Sequence, residues 1–142
     1  MRVGFLLNEK VRKKFGIFPN SVLPLQCILM IVIGRKILLK LQKKNIGNRR
    51  LCSEIDHLLS DLEGYSPESG SIFNYRRDAD LVHADGFYFF DIHIHRTLVL
   101  VELEEDGVAT IIWAGTHLEY ESIFRNNKST VEKWLRKNKY IR

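Results

Sequence analysis

A chain of 142 residues, 45% hydrophobic and 27% charged, is long enough for one domain with a real core, too short for two comfortable ones, and too apolar to stay disordered. Its two cysteines, Cys27 and Cys52, exclude a disulfide framework and a zinc-binding cysteine cluster, and a reducing cytoplasm is the expected location. The net charge of +5 is unevenly spread: residues 1–50 carry 12 Lys/Arg against 1 acid, residues 51–106 carry 3 against 13, and residues 107–142 carry 7 against 3. Basic ends around an acidic middle suit a protein that grips a polyanion, or equally a set of solvated helix faces.

The basic stretch MRVGFLLNEKVRKKFGIFPN and the apolar run SVLPLQCILMIVIG after it superficially copy a secretory signal. Pro24 and Gln26 interrupt the run, and no small-x-small cleavage site precedes Arg35 and Lys36. It also falls short of the roughly 20 residues that span a bilayer, so neither secretion nor a membrane span is expected. Residues 1–29 read instead as an N-terminal extension, either upstream sequence translated in error or a poorly ordered segment, with Met30 as the alternative start and one domain over 30–142. Without the extension the balance is 17 basic residues against 16 acidic, so only local basic clusters would then support polyanion binding.

From Met30 a short β-branched strand, MIVIG, leads into a helix, RKILLKLQKKNI. Ile37, Leu38 and Leu41 form its apolar stripe, and Lys36, Lys40, Lys43 and Lys44 fall on another face at helical spacing. Gly47-Asn48 ends it, and Asn48 can cap the next helix, NRRLCSEIDHLLSDLEG, which sets Leu51, Ile55, Leu58, Leu59 and Leu62 on a buried face. The turn-rich connector GYSPESGS follows. The period then changes to that of strands: DADLV, GFYFFDI, RTLVLVEL and VATIIWAG, with ADG and EEDG as hairpin turns. The expected fold is α+β, an N-terminal strand and two helices packed on one face of an antiparallel sheet, with a C-terminal helical extension.

Asp91-Ile92-His93-Ile94-His95 raises the question of a metal. In one strand, Asp91, His93 and His95 would share a face, and two histidines with a carboxylate are a real ligand set. A single strand from Phe87 to Leu103 would, however, far exceed the usual 5 to 6 or so residues. A turn belongs at its least apolar part, residues 93–96, and such a turn removes the shared face.

Thr116-His117-Leu118-Glu119 is a capping box that puts His117 at the first position of a helix, directly after the strand TIIWAG. Tyr120 lies three residues on, on the same side, although its spacing with Ile123 and Phe124 also suits plain packing. A helix start offers N–H donors and a positive dipole end to a phosphate. Ser129-Thr130-Val131-Glu132 repeats the cap signal and opens a basic last helix with Lys133, Arg136 and Lys137. Trp113 and Trp134 are expected in the core or an interface rather than as base-stacking platforms.

ADLV, the aromatic strand FYFFDI, a turn, a basic residue leading a strand, a second hairpin and then WAGTHLEYESI together resemble the HigB family of type II toxin-antitoxin toxins, within the RelE superfamily. The likeness runs from about Met30 to Phe124 and is most specific at T-H-x-E-Y, which Thr116, His117, Glu119 and Tyr120 match. It implies the small RelE-like fold, mRNA cleavage on the ribosome in the cytoplasm, and neutralisation by an antitoxin with a helix-turn-helix domain. The implied chemistry needs no metal or other cofactor: the ribose 2′-OH attacks the adjacent phosphorus, with a base, an acid and a cation to assist. On this resemblance His117 would move the proton, since an imidazole ordinarily titrates near pH 6.5 or so. Arg96, at the family's basic position, would hold the phosphate, or else pair with Asp91, and Tyr120 would orient or stack on a base. Lys36, Lys40, Lys43 and Lys44 would grip the RNA backbone. Where the family often has a further arginine, this chain has Leu98, and where it usually has a Gly/Asn-type turn, this chain has His93-Ile94-His95. The other readings are a catalytically silent binding protein of the same fold and a metal-binding protein using Asp91, His93 and His95.

Overall fold

The computed structural model describes residues 30–142 apart from 67, 69 and 104–106. The expectations for residues 1–29, including Cys27, and for the turn at 104–106 lie outside the described residues. The elements in order are β1 (Ile31–Ile33), α1 (Arg35–Lys44), α2 (Arg49–Gly64), a one-turn α3 (Ile72–Tyr75), β2 (Asp80–His83), β3 (Phe87–Ile92), β4 (His95–Glu102), β5 (Val108–Thr116), α4 (His117–Phe124) and α5 (Lys128–Lys137). None of the described helices is long and apolar enough to cross a membrane.

Strands β2 to β5 form the expected meander, but the sheet is mixed rather than antiparallel. Its order is β1-β5-β4-β3-β2, and β1 lies parallel to β5, with Ile31 opposite Val108. Gly34 makes this junction possible. It caps α1 at φ 84°, and a Cβ there would stand 2.4 Å from the Ile111 carbonyl oxygen, so only glycine turns the chain this close to β5.

Helices cover both faces, which corrects the one-face arrangement. On the first face α1 and α2 bury Leu38, Leu51, Ile55, Leu58 and Leu62 against Phe90, Ile92, Val99 and Ile111. The stripe of α2 is the one its periodicity predicts, and the Asn48 side chain accepts from the Leu51 N–H. On the second face α4 and α5 bury Tyr120, Phe124, Val131 and Leu135 against Phe87, Phe89, Leu98 and Ile112. The C-terminal helices are therefore half of the core, not an extension beyond it. This is why β3 is aromatic and apolar along nearly its whole length, since a strand covered on both sides has no polar face.

Two local details also differ. The connector after α2 leads into the short helix α3, capped by Ser71. And the cap of α5 is Asn127, not Ser129, so the helix starts at Lys128: the Asn127 side chain accepts from the N–H groups of Ser129 and Thr130, a role for which asparagine is among the best residues.

Candidate active site at the end of the sheet

The β3–β4 hairpin turns on two residues, His93 and Ile94, so that Ile92 faces His95 and Asp91 faces Arg96 across the ladder. His93 takes the left-handed region at φ 61°, which histidine tolerates better than most residues. The turn sends the metal candidates apart. Asp91 lies on the α4/α5 face with Arg96, His95 lies on the α1/α2 face, and the His93 Nδ1 stands 4.0 Å from Glu54 Oε2. Among the described residues no group of three His, Cys, Asp or Glu is arranged to hold a metal ion.

His117 is the first residue of α4, and its side chain is exposed. Both halves of the capping box are present: Thr116 Oγ1 accepts from the Glu119 N–H at 3.0 Å, and Glu119 Oε1 accepts from the Thr116 N–H at 2.8 Å. The His117 N–H donates to the Ile94 carbonyl at 3.2 Å. The hairpin thus fixes where α4 begins, and these three bonded amides leave the helix start little donor capacity for a phosphate. The hydrogen bonds from Thr116 hold the Glu119 carboxyl below its ordinary pKa, helped by charge from His95 and Lys44, while burial acts the other way. Lys44, at the end of α1, is therefore close enough to this site for its charge to be felt.

Arg96 lies on the second face and is mostly buried, with a side chain 13% exposed. Its Nε donates to Asp91 Oδ1 at 2.9 Å, and one terminal nitrogen stands 3.7 Å from Asp80 Oδ2. The guanidinium also lies over the rings of Tyr120, at 4.6 Å, and Phe89, at 5.2 Å. Tyr120 is buried and donates its hydroxyl to Asn126 Oδ1 at 2.9 Å. Burial pushes its phenol pKa up, against the pull of the neighbouring Arg96, so it stays protonated. The His117 ring meets the Tyr120 ring edge-on, with centroids 6.5 Å apart. The structure thus links His117, Tyr120 and Arg96 in one chain of contacts, with Tyr120 in the middle as a core residue.

Lys36, Lys40, Lys43 and Lys44 are all exposed, and none makes an ion pair among the described residues. Trp113 and Trp134 pack around Phe124.

The pairing of Arg96 with Asp80 and the burial of His95 escape a reading of the sequence. Asp80, on β2, neutralises Arg96 from a strand sixteen residues away, which no local pattern signals. His95 is 95% buried, and its Nδ1 has no hydrogen-bond partner among the described residues. Burial lowers its pKa; Glu119 pulls it back up, and His93 and His117 lower it further. Glu54 Oε2, 4.0 Å from His93 and 3.9 Å from Arg50, likewise has no hydrogen-bond partner among the described residues. Compared with protein-family models, with curated proteins and with solved structures, the chain matches none.

Proposed function

We propose that this chain is an mRNA-cleaving toxin of the HigB kind, acting at the ribosome in the cytoplasm and held inactive by a helix-turn-helix antitoxin. The observation that carries the reading is the exposed imidazole of His117 on a capped helix start at the sheet end. The α+β fold and the exposed lysines of α1, which make no ion pair among the described residues, support it. In the reaction His117 takes the 2′-OH proton as the 2′-oxygen attacks phosphorus. The P–O5′ bond breaks, the 5′-oxygen takes a proton returned from the His117 imidazolium through water, and a 2′,3′-cyclic phosphate is left. Lys44 and Arg96 supply positive charge for the phosphate oxygens, and Lys36, Lys40 and Lys43 bind the flanking backbone.

Induced alone, the full chain is expected to arrest growth and truncate messages, and His117→Ala to abolish both while leaving the circular dichroism spectrum unchanged. Arrest and cleavage that persist in His117→Ala would sink the reading. One observation favours a second reading, a partner-binding protein of the same fold that cuts nothing. Asp91 and Asp80 already hold the Arg96 charge, and the side chain is largely buried. Stable binding of an antitoxin without any truncation of messages would select it.

A further inference from the structure

Beside Tyr120 lies a groove of about 120 Å³ between the edge strand β2, the end of α4 and the start of α5. Val82 and Val131 give it apolar walls, and Asp80, Tyr120, Asn126 and Lys128 line it with polar groups. The Asp80 carboxylate accepts no hydrogen bond from a described side chain, and its 3.7 Å distance to Arg96 is too long to be one. The Asn126 Oδ1 is occupied by the Tyr120 hydroxyl, which leaves its NH₂ group as the donor facing a ligand. Lys128 is exposed and makes no ion pair among the described residues.

We propose that this groove holds one base of the RNA strand, and that the base is guanine. The proposal rests on the RNA reading above, because Tyr120 joins the groove to His117 and Arg96, within reach of a nucleotide next to the one being cut. A carboxylate only accepts hydrogen bonds, so the base must present donors to Asp80. Guanine is the base with two adjacent donors, N1–H and the N2 amino group, beside a carbonyl acceptor. The two Asp80 oxygens take those donors, and the Asn126 NH₂ donates to O6, a reading of the Watson–Crick edge open only in single strands. Adenine and cytosine offer one amino group, and uracil one N–H, so each leaves part of the pair unmet. Lys128 neutralises the attached phosphate, which every nucleotide carries.

The test uses the full chain, ¹⁵N-labelled, titrated separately with GMP, AMP, CMP, UMP and inorganic phosphate. GMP is expected to shift the Asn126 side-chain amide and the Lys128 N–H saturably, with an affinity about tenfold above the other three, as one bidentate contact allows. Asp80→Asn should remove most of that preference, while Lys128→Ala should weaken all four nucleotides alike. Asn126→Gly, which keeps the left-handed backbone at φ 49°, should reproduce the loss without straining the turn. Equal response to all four nucleotides, a response that phosphate alone reproduces, or GMP binding indifferent to both Asp80→Asn and Asn126→Gly would overturn the proposal. GMP binding by a chain that cuts no RNA supports the groove and removes only the nuclease. RNA cleavage whose base preference Asp80→Asn leaves untouched, with no GMP binding, removes only the groove.

Discussion

Replacing Phe124 by alanine tests the packing that sets this fold apart from a two-helix-on-sheet arrangement. Phe124 is fully buried, and its ring meets Trp113 at 5.0 Å, Phe89 at 5.1 Å, Trp134 at 5.2 Å and Tyr120 at 5.8 Å between centroids. Truncating such a ring loses its transfer free energy and leaves a cavity that four large neighbours cannot fill without moving, a cost of about 3–5 kcal/mol. Edge-to-face pairs add about 0.5–1.5 kcal/mol each beyond buried area, which places the expected value in the upper part of that range. A domain of this size is stable by only about 5–15 kcal/mol, so the urea midpoint should fall steeply. The matched control is Leu118→Ala on the same helix, 83% exposed and expected to change stability by less than about 0.5 kcal/mol. If both variants unfold within about 1 kcal/mol of the parent, α4 and α5 do not form the second half of the core.

His95 makes stability depend on pH. Its folded pKa lies below the ordinary value of 6.5 because the ring is buried, with Glu119 opposing and His93 and His117 reinforcing the shift. The unfolded chain therefore binds the proton first, so this contribution is complete above about pH 6.5 and is lost as pH falls through the lowered folded value. Urea midpoints at pH 7.5 and 5.0 should differ less in His95→Leu than in the parent; an equal or larger drop in the variant would contradict the assignment. Gly34→Ala should cost about 2 kcal/mol or more in thermal or urea unfolding, since it combines a left-handed backbone with a clash at the Ile111 carbonyl, and a neutral result would mean β1 is not seated beside β5. Asn127→Ala should lose about 1 kcal/mol of stability while Ser129→Ala loses little; the reverse order would return the cap of α5 to Ser129.

What the sequence reveals here is what repeats or closes over a short distance. The stripe of α2, the Asn48 cap, the capping box around His117 and the need for a turn between Asp91 and Arg96 all depend on residues within a few positions of one another. The parallel pairing of β1 with β5 does not, because any of several strands would accept Ile31–Ile33 on local grounds. The second helical layer was legible in principle: the unbroken run FYFFDI needs cover on both faces, and Tyr120 and Phe124 supply it from one side of α4. At the candidate site His117 is placed by its own neighbours, whereas the fate of Arg96 depends on Asp80, brought beside it through two strand pairings. The burial of His95 depends likewise on helices that the alternation of β4 cannot specify.

Ile31–Ile33 and Val108–Thr110 are brought side by side by a loop of more than half the chain. Such a distant closure slows folding far more than it weakens the final state. A nascent chain holds β1 without its mate until β5 has been synthesised, and the helix bearing His117 follows β5 directly. The imidazole can therefore take up its place at the sheet end only once β5 has been made and has found β1 across that long loop.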